Sequence, residues 1–237
     1  MEAVTPGRLF LIPVPISDSA PGNAIPDDVM HQTREIRFFI AENAKSARKY
    51  FKMLGMEQSS LVVEELDKHE PSKGISAMLQ PACEGQDMGL LSEAGIPAVA
   101  DPGSLVVAEA HRLGIPVIAM SGPSSLMLAL AASGLNGQRF SFQGYLPKEK
   151  DQLRKQLNFL EKLSAQTRQA QIFIETPYRN VQIMREMLDV LSPETRISVS
   201  VDLTGPGAVS VTRKAAEWKK CELPDMKDKP AVFIIQA

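Results

Sequence analysis

Three polar turns, each following a run of Val, Ile, Leu or Phe, hold most of the residues that could do chemistry. The first is Ser92-Glu93-Ala94-Gly95-Ile96-Pro97, continued by Ala100-Asp101-Pro102-Gly103-Ser104. Gly95 and Gly103 open backbone conformations closed to other residues and let a ligand approach the main chain. Asp101 precedes a proline, which disfavours helix and holds it on an extended turn. Its carboxylate suits an amine or hydroxyl of a ligand, or equally a cap for a helix beginning near Ser104. The second turn, Ser121-Gly122-Pro123-Ser124-Ser125, offers free N–H groups at a helix start, either to a polar or anionic ligand group or as an ordinary cap. The third runs from Ile174 to Asn180 and sets Glu175, Tyr178 and Arg179 within five residues: acid, aromatic and base. Pro13-Val14-Pro15 ends the first apolar run. Proline removes backbone donors there, which suits an edge strand or a ligand-facing loop.

Other chemistries find no support. His31, His69 and His111 stand singly, and Cys83 and Cys221 form no CxxC pair, so no metal is expected. There is no Ser-His-Asp signature, no Gly-rich motif ending in Gly-Lys-Ser/Thr and no GxGxxG after a strand. The 237 residues are 44% hydrophobic and 23% charged, as in an ordinary globular protein. Residues 1–8 lack a basic region followed by a long apolar run, and runs such as Leu126 to Ala132 are far too short to span a bilayer. A reduced, cytoplasmic setting without membrane association is the expectation. A net charge of -2 exerts no general pull on nucleic acid. Lys148, Lys150, Arg154 and Lys155 form a local cluster that could meet phosphates, but Glu149 and Asp151 interrupt it, and a solvated mixed-charge helix face is the better reading.

The elements that must position these turns alternate between strand and helix. Strands are expected at 9–14, 37–40, 61–63, 88–91, 117–120, 140–144, 171–174, 197–202, 208–212 and 231–235. Val181, Met184, Leu188 and Leu191 recur with helical spacing, and 44–54, 72–80, 104–113 and 150–163 also suit helices. The stretch 126–132 is apolar all round, which predicts a helix buried on most sides. Alternation of this kind predicts an α/β fold of largely parallel, mixed sheets covered by helices. A division near Met120 gives two α/β domains, 1–120 and 121–237, with a cleft between them.

Taken in order, the turns resemble the tetrapyrrole methylase superfamily of S-adenosylmethionine-dependent methyltransferases. The nearest likeness is to the family that methylates a cytidine 2'-hydroxyl in small-subunit ribosomal RNA. The resemblance is carried by Ser92–Pro97, Asp101-Pro102-Gly103, Ser121–Ser124, Ala132-Ser133-Gly134-Leu135, Gly144-Tyr145-Leu146-Pro147-Lys148 and Phe173–Arg179. It implies two α/β domains with a cofactor cleft between them, a homodimer, and a folded S-adenosylmethionine in that cleft, bound without any metal. By position it places Pro13, Pro15, Ser92, Ala94, Gly95, Asp101, Gly103, Gly122, Pro123 and Ser124 around the cofactor. The chain departs from the family at Glu93 and Ile96, at Ala41–Lys45, at Thr176 and Tyr178, at Val14–Ser19 and at Val201–Gly205, mostly where an acceptor would be recognised. It also ends at its last expected strand, where family members often continue.

A sulfonium donor carries its own activation, so the protein mainly aligns donor and acceptor. A ribose hydroxyl also needs its proton removed. Glu175 is the first candidate for that base, with Glu42 and Asp202 as alternatives, because each ends an expected strand; capping or ion pairing is the competing role for all three. The acceptor is expected to be ribosomal RNA in the small subunit. A small molecule such as a tetrapyrrole intermediate, or a non-catalytic cofactor-binding role, are the alternatives.

Overall fold

The computed structural model describes residues 5–17, 21–67, 69–70 and 72–237. Asp18 and Ser19, part of the divergent loop after the first strand, lie outside the described residues. The chain divides into two compact units, Met1–Ser124 and Ser125–Ala237.

The first unit runs β1 (Leu9–Leu11), α1 (Asp27–Arg34), β2 (Phe38–Ala41), α2 (Ala44–Met53), β3 (Val62–Glu65), α3 (Ile75–Met78), α4 (Gln80–Cys83), β4 (Met88–Leu91), α5 (Gly103–Arg112) and β5 (Val117–Ala119). Its strands lie in the order β3-β2-β4-β1-β5, and every pair is parallel. Both faces are covered. Phe10, Ile12 and Phe39 pack with Val29 and Met30 of α1 and with Tyr50 and Phe51 of α2. On the opposite face, Leu9, Ile40 and Leu90 pack with Ile75, Ala82, Val106 and Ala110. Burial on both faces explains why the inner strands β1, β2 and β4 are unbroken apolar runs without polar alternation, whereas the edge strand β3 ends in Glu64-Glu65. Neighbours β1 and β4 send their following helices, α1 and α5, to opposite faces of the sheet. The carboxyl ends of those two strands are therefore a switch point, where open α/β sheets bind ligands.

The second unit runs α6 (Ser125–Ser133), β6 (Phe140–Tyr145), α7 (Lys150–Thr167), β7 (Ala170–Glu175), α8 (Asn180–Val190), β8 (Arg196–Val201), β9 (Val209–Lys214), α9 (Ala215–Trp218) and β10 (Ala231–Gln236). Glu149 caps α7 by accepting from the Gln152 N–H at 2.9 Å, and Arg168, at φ 56°, ends it. Leu153, Leu157 and Leu160 of α7 and Ile183, Met184 and Met187 of α8 pack with Phe173, Val199 and Phe233. Trp218 of α9 joins this core and donates its indole N–H to the Ile197 carbonyl at 2.9 Å. The strand order is β6-β7-β10-β8-β9, with β6 and β7 parallel and the other neighbours antiparallel. The link 202–208 is too short for the crossover that parallel strands require, so β8 and β9 must form a hairpin. Across both sheets, five of the eight pairings among the described residues are parallel.

The strands fall close to their expected positions, while the helices differ more. The expected helix over 72–80 becomes the short turns α3 and α4, because Gly74 is left-handed at φ 74° and Pro81 starts a new turn. Polar α1 and short α9 carry too little apolar periodicity to be foreseen. Helix α6 is not buried on most sides. It covers Ala129 and Leu130 against Ile172 and Ile234, but leaves Met127 51% and Leu128 38% exposed.

Candidate functional site

The residues that the sequence marks for a cofactor all belong to the first unit, and several meet at its switch point. After β1 the backbone of Val14 exchanges both hydrogen bonds with Gly95, at 3.0 and 3.1 Å. This pins the Pro13-Val14-Pro15 segment to the loop leaving β4. Gly95 is left-handed at φ 77°, and a Cβ there would come within 3.2 Å of the Pro123 carbonyl. A Cβ on Gly122 would collide with the Pro13 ring. Pro13, Gly95, Gly122 and Pro123 are thus brought together where β1, β4 and β5 end, in a space closed to side chains. Buried Ser92 braces the same loop by donating its hydroxyl to the Ala94 carbonyl at 3.1 Å. Pro15 and Ser124 follow directly in the two converging segments.

Further along that loop, Asp101 Oδ1 accepts from the N–H groups of Ala98 at 3.0 Å and Gly103 at 2.7 Å. Helix capping is therefore real, since Gly103 begins α5. It uses one oxygen only: Oδ2 is buried with no hydrogen-bond partner among the described residues. Burial pushes the carboxyl above its usual range, against the pull of its N–H donors. A Cβ on Gly103 would stand 2.7 Å from Asp101 Oδ1, so this position also requires glycine. Ala98 and Ala100, both just before the aspartate, stand at φ 67° and 65°, a conformation costly for alanine. Such strain concentrates at ligand sites, and nothing in an alanine's identity announces it. Glu42, just past β2, accepts from the Glu93 N–H at 3.0 Å and so ties down the start of the same loop.

The other candidate residues line the carboxyl edge of the second unit's sheet. Ala231 of β10 is paired with Glu175 on one side and Val201 on the other, which brings Glu175 and Asp202 to the same edge. Glu175 is buried, its Oε1 accepting from the Thr176 N–H at 2.7 Å and from the Thr176 hydroxyl at 3.1 Å. Its Oε2 lies 3.0 Å from Arg179 Nη1, a charge contact without hydrogen-bond alignment. Arg179, also buried, donates from Nη2 to the Pro147 carbonyl at 3.4 Å, joining the turn after β7 to the turn after β6. Asp202 differs. Its backbone is left-handed at φ 50°, its Oδ2 accepts from the Gly207 N–H at 3.0 Å, and its Oδ1 accepts from no described residue. Beyond Lys148, the basic cluster is largely neutralised: Lys150 and Arg154 both reach Glu186, at 3.4 and 2.6 Å.

Among the described residues no three His, Cys, Asp or Glu side chains converge as metal ligands. No helix among them is long and apolar enough to cross a membrane. Chemically, the first unit's edge offers a glycine-lined recess and one carboxylate oxygen in need of a donor. The second offers carboxylates and exposed aromatics.

Comparison with known proteins agrees with this picture. The family model described as Tetrapyrrole (Corrin/Porphyrin) Methylases matches residues 32–218. Ribosomal RNA small subunit methyltransferase I of Pseudomonas aeruginosa is 30% identical over 84% of this chain and 67% of its own length. The protein of the same name from Thermotoga maritima is 29% identical over 78% of each chain. Among solved structures, the methyltransferase CobJ covers 97% of this chain and 94% of its own at a TM-score of 0.63 and 18% identity. Uroporphyrin-III-C-methyltransferase from Thermus thermophilus covers 97% and 92% at 0.55 and 16%. With a family model spanning most of its length and a shared fold, the chain belongs to the tetrapyrrole methylase family and is a methyltransferase.

Proposed function

We propose that the chain transfers the methyl group of S-adenosylmethionine to a ribose 2'-hydroxyl of small-subunit ribosomal RNA, in the cytoplasm and as a homodimer. The observation that carries the cofactor assignment is the unpaired Asp101 Oδ2 in a loop whose Gly95 and Gly103 admit no side chain. Pro13, Pro15, Ser92, Ala94, Gly95, Asp101, Gly103, Gly122, Pro123 and Ser124 would hold the ligand, with Asp101 accepting from one of its amine or hydroxyl groups. Bound S-adenosylmethionine supplies a methyl group already activated by positive sulfur, so the protein's contribution is alignment, worth up to roughly 7–11 kcal/mol of barrier. The acceptor follows from the relatives, which bear the name of ribosomal RNA methyltransferases and of which this chain spans about two thirds or more. The exposed apolar side of α6 supports the homodimer.

For the proton on the ribose hydroxyl we place Asp202 ahead of Glu175 and Glu42. Glu175 has an oxygen committed to its own turn and Glu42 one committed to the loop after β4, and Glu175 is shut from solvent beside Arg179. Asp202 is half-buried and keeps Oδ1 available, in a strained loop. Asp202→Asn should lower kcat by about 10²–10⁴-fold with the cofactor Kd unchanged. A Glu175→Gln variant that shows this effect instead would return the role to Glu175.

The test of the whole reading is transfer of labelled methyl from S-adenosylmethionine to small ribosomal subunits taken from cells lacking the protein. Mass mapping should place the label on one ribose. Failure to label these subunits, with label entering a tetrapyrrole intermediate instead, would reject the RNA assignment while keeping the cofactor.

A further inference from the structure

The chain has three tyrosines, and two of them are among its most exposed large side chains: Tyr145 at 60% and Tyr178 at 70%. Both stand at the carboxyl ends of neighbouring parallel strands. Tyr145 closes β6 opposite Ile174, and Tyr178 lies four residues beyond Ile174 in the 3₁₀ turn Pro177–Arg179.

Each ring is held out by a specific device. In β6 the register slips between Phe142 and Tyr145, so three steps on β6 match two on β7, with Gly144 left-handed at φ 67° inside the slip. Such a bulge bends the strand and re-aims the side chain that follows. The turn that presents Tyr178 is built on the buried Glu175–Arg179 pair, and Arg179 then grips the Pro147 carbonyl in the turn after Tyr145. A buried ion pair thus locks together the two segments that carry solvent-facing rings. Burying neither ring, when the core below holds Phe173 and Phe233 at 0% exposure, leaves apolar area unused by the fold.

The surrounding charge points to the occupant. Lys148, three residues past Tyr145, is exposed and forms no ion pair with a described residue, whereas Lys150 and Arg154 are bound to Glu186. So sparse a set of unpaired cations, Lys148 after Tyr145 and Lys155 further along α7, fits an unstacked nucleobase and its phosphate better than it fits a duplex backbone, which needs many cations.

We infer that Tyr145 and Tyr178 form a stacking platform for bases of single-stranded RNA, with Lys148 on a flanking phosphate. This deepens the RNA reading given above and rests on it. Stacking of this kind tolerates sequence variation and displays a base with its sugar at the protein surface. Asp202, the proposed base, directly follows β8 at the same sheet edge.

The experiment uses the full chain and a short single-stranded oligoribonucleotide carrying 2-aminopurine, whose fluorescence is quenched on stacking. Wild type should quench it. Tyr145→Ala and Tyr178→Ala should each weaken binding by about 5- to 100-fold. The Phe substitutions at both positions should keep binding within about threefold, since they keep the ring. Lys148→Ala should reduce the slope of log affinity against log salt by about 0.7. Because both rings are exposed, the Ala variants should melt with wild type. Ala variants that bind within twofold of wild type would overturn the platform, as would a salt slope showing that many phosphates carry the affinity. Binding needs neither cofactor nor turnover, so these outcomes are separate from failure to methylate ribosomal subunits.

Discussion

At the scale of single residues, Asp101 concentrates the chemistry of the first unit. One oxygen serves the fold and the other has no partner, so the side chain carries a structural and a binding role that substitution can separate. Asp101→Asn can keep the amide oxygen on Ala98 and Gly103 while exchanging the free acceptor for a donor. S-adenosylhomocysteine should then bind at least tenfold more weakly by calorimetry, with the melting curve little changed. The pH dependence has a definite sign. The carboxyl titrates above its ordinary 3.8 because burial disfavours its charge. Its stabilising contribution is thus complete below the ordinary value and is lost as pH rises through the raised one. A ligand donor on Oδ2 favours the ionised form, so ligand affinity should fall as pH drops through that same window. The Asn variant should show a flat profile there. Gly122 offers a second check at this scale: Gly122→Ala forces a methyl into the Pro13 ring and should cost about 1–3 kcal/mol in urea unfolding.

At the scale of elements, the turn after β7 shows how a short segment can be held by charge where apolar packing is not available. Glu175 and Arg179 sit one helical turn apart with side chains 1% and 7% exposed. Removing one partner leaves the other buried without compensation, which typically costs about 3–5 kcal/mol. Glu175→Ala should therefore destabilise strongly by chemical denaturation, and adding Arg179→Met should recover much of the loss. A double variant no more stable than the single one would mean that the Pro147 link, and not the charge pair, dominates. The same logic explains why the expected helix over 72–80 broke up. Gly74 and Pro81 both oppose a continuous run, and no packed apolar stripe of sufficient length overrides them.

At the scale of the whole molecule, the outer side of α6 is an unspent apolar surface of the second unit. Met127 and Leu128 are exposed there on a helix with no polar face. Proposed as part of a homodimer contact, this surface predicts a dimer mass for wild type by light scattering and a monomer for Met127→Glu with Leu128→Glu. A dimer that persists in this variant would place the contact elsewhere. Ligand linkage supplies a second whole-molecule check. S-adenosylhomocysteine at 100 times its Kd should stabilise the protein by about 2.7 kcal/mol, seen as a rise in melting temperature, and the tenfold weaker binding of Asp101→Asn should remove about half of it at the same concentration.

The strands and the glycine turns were legible in the residues themselves, because a short Val-, Ile- and Phe-rich run bounded by Gly, Pro or charge favours the same local conformation wherever it is placed. The turn residues also carried the family likeness, since close backbone approach at Gly95 and Gly122 leaves no substitute for glycine. Tertiary structure decided the rest. It set which strands of the second unit run antiparallel, gave Ala98 and Ala100 their left-handed backbone, and left one oxygen of Asp101 without a donor. It also aimed Tyr145 outward through a slipped register and kept half of α6 in solvent. These are properties of contacts between residues far apart in the chain, and local periodicity contains no record of which distant partner a side chain will meet.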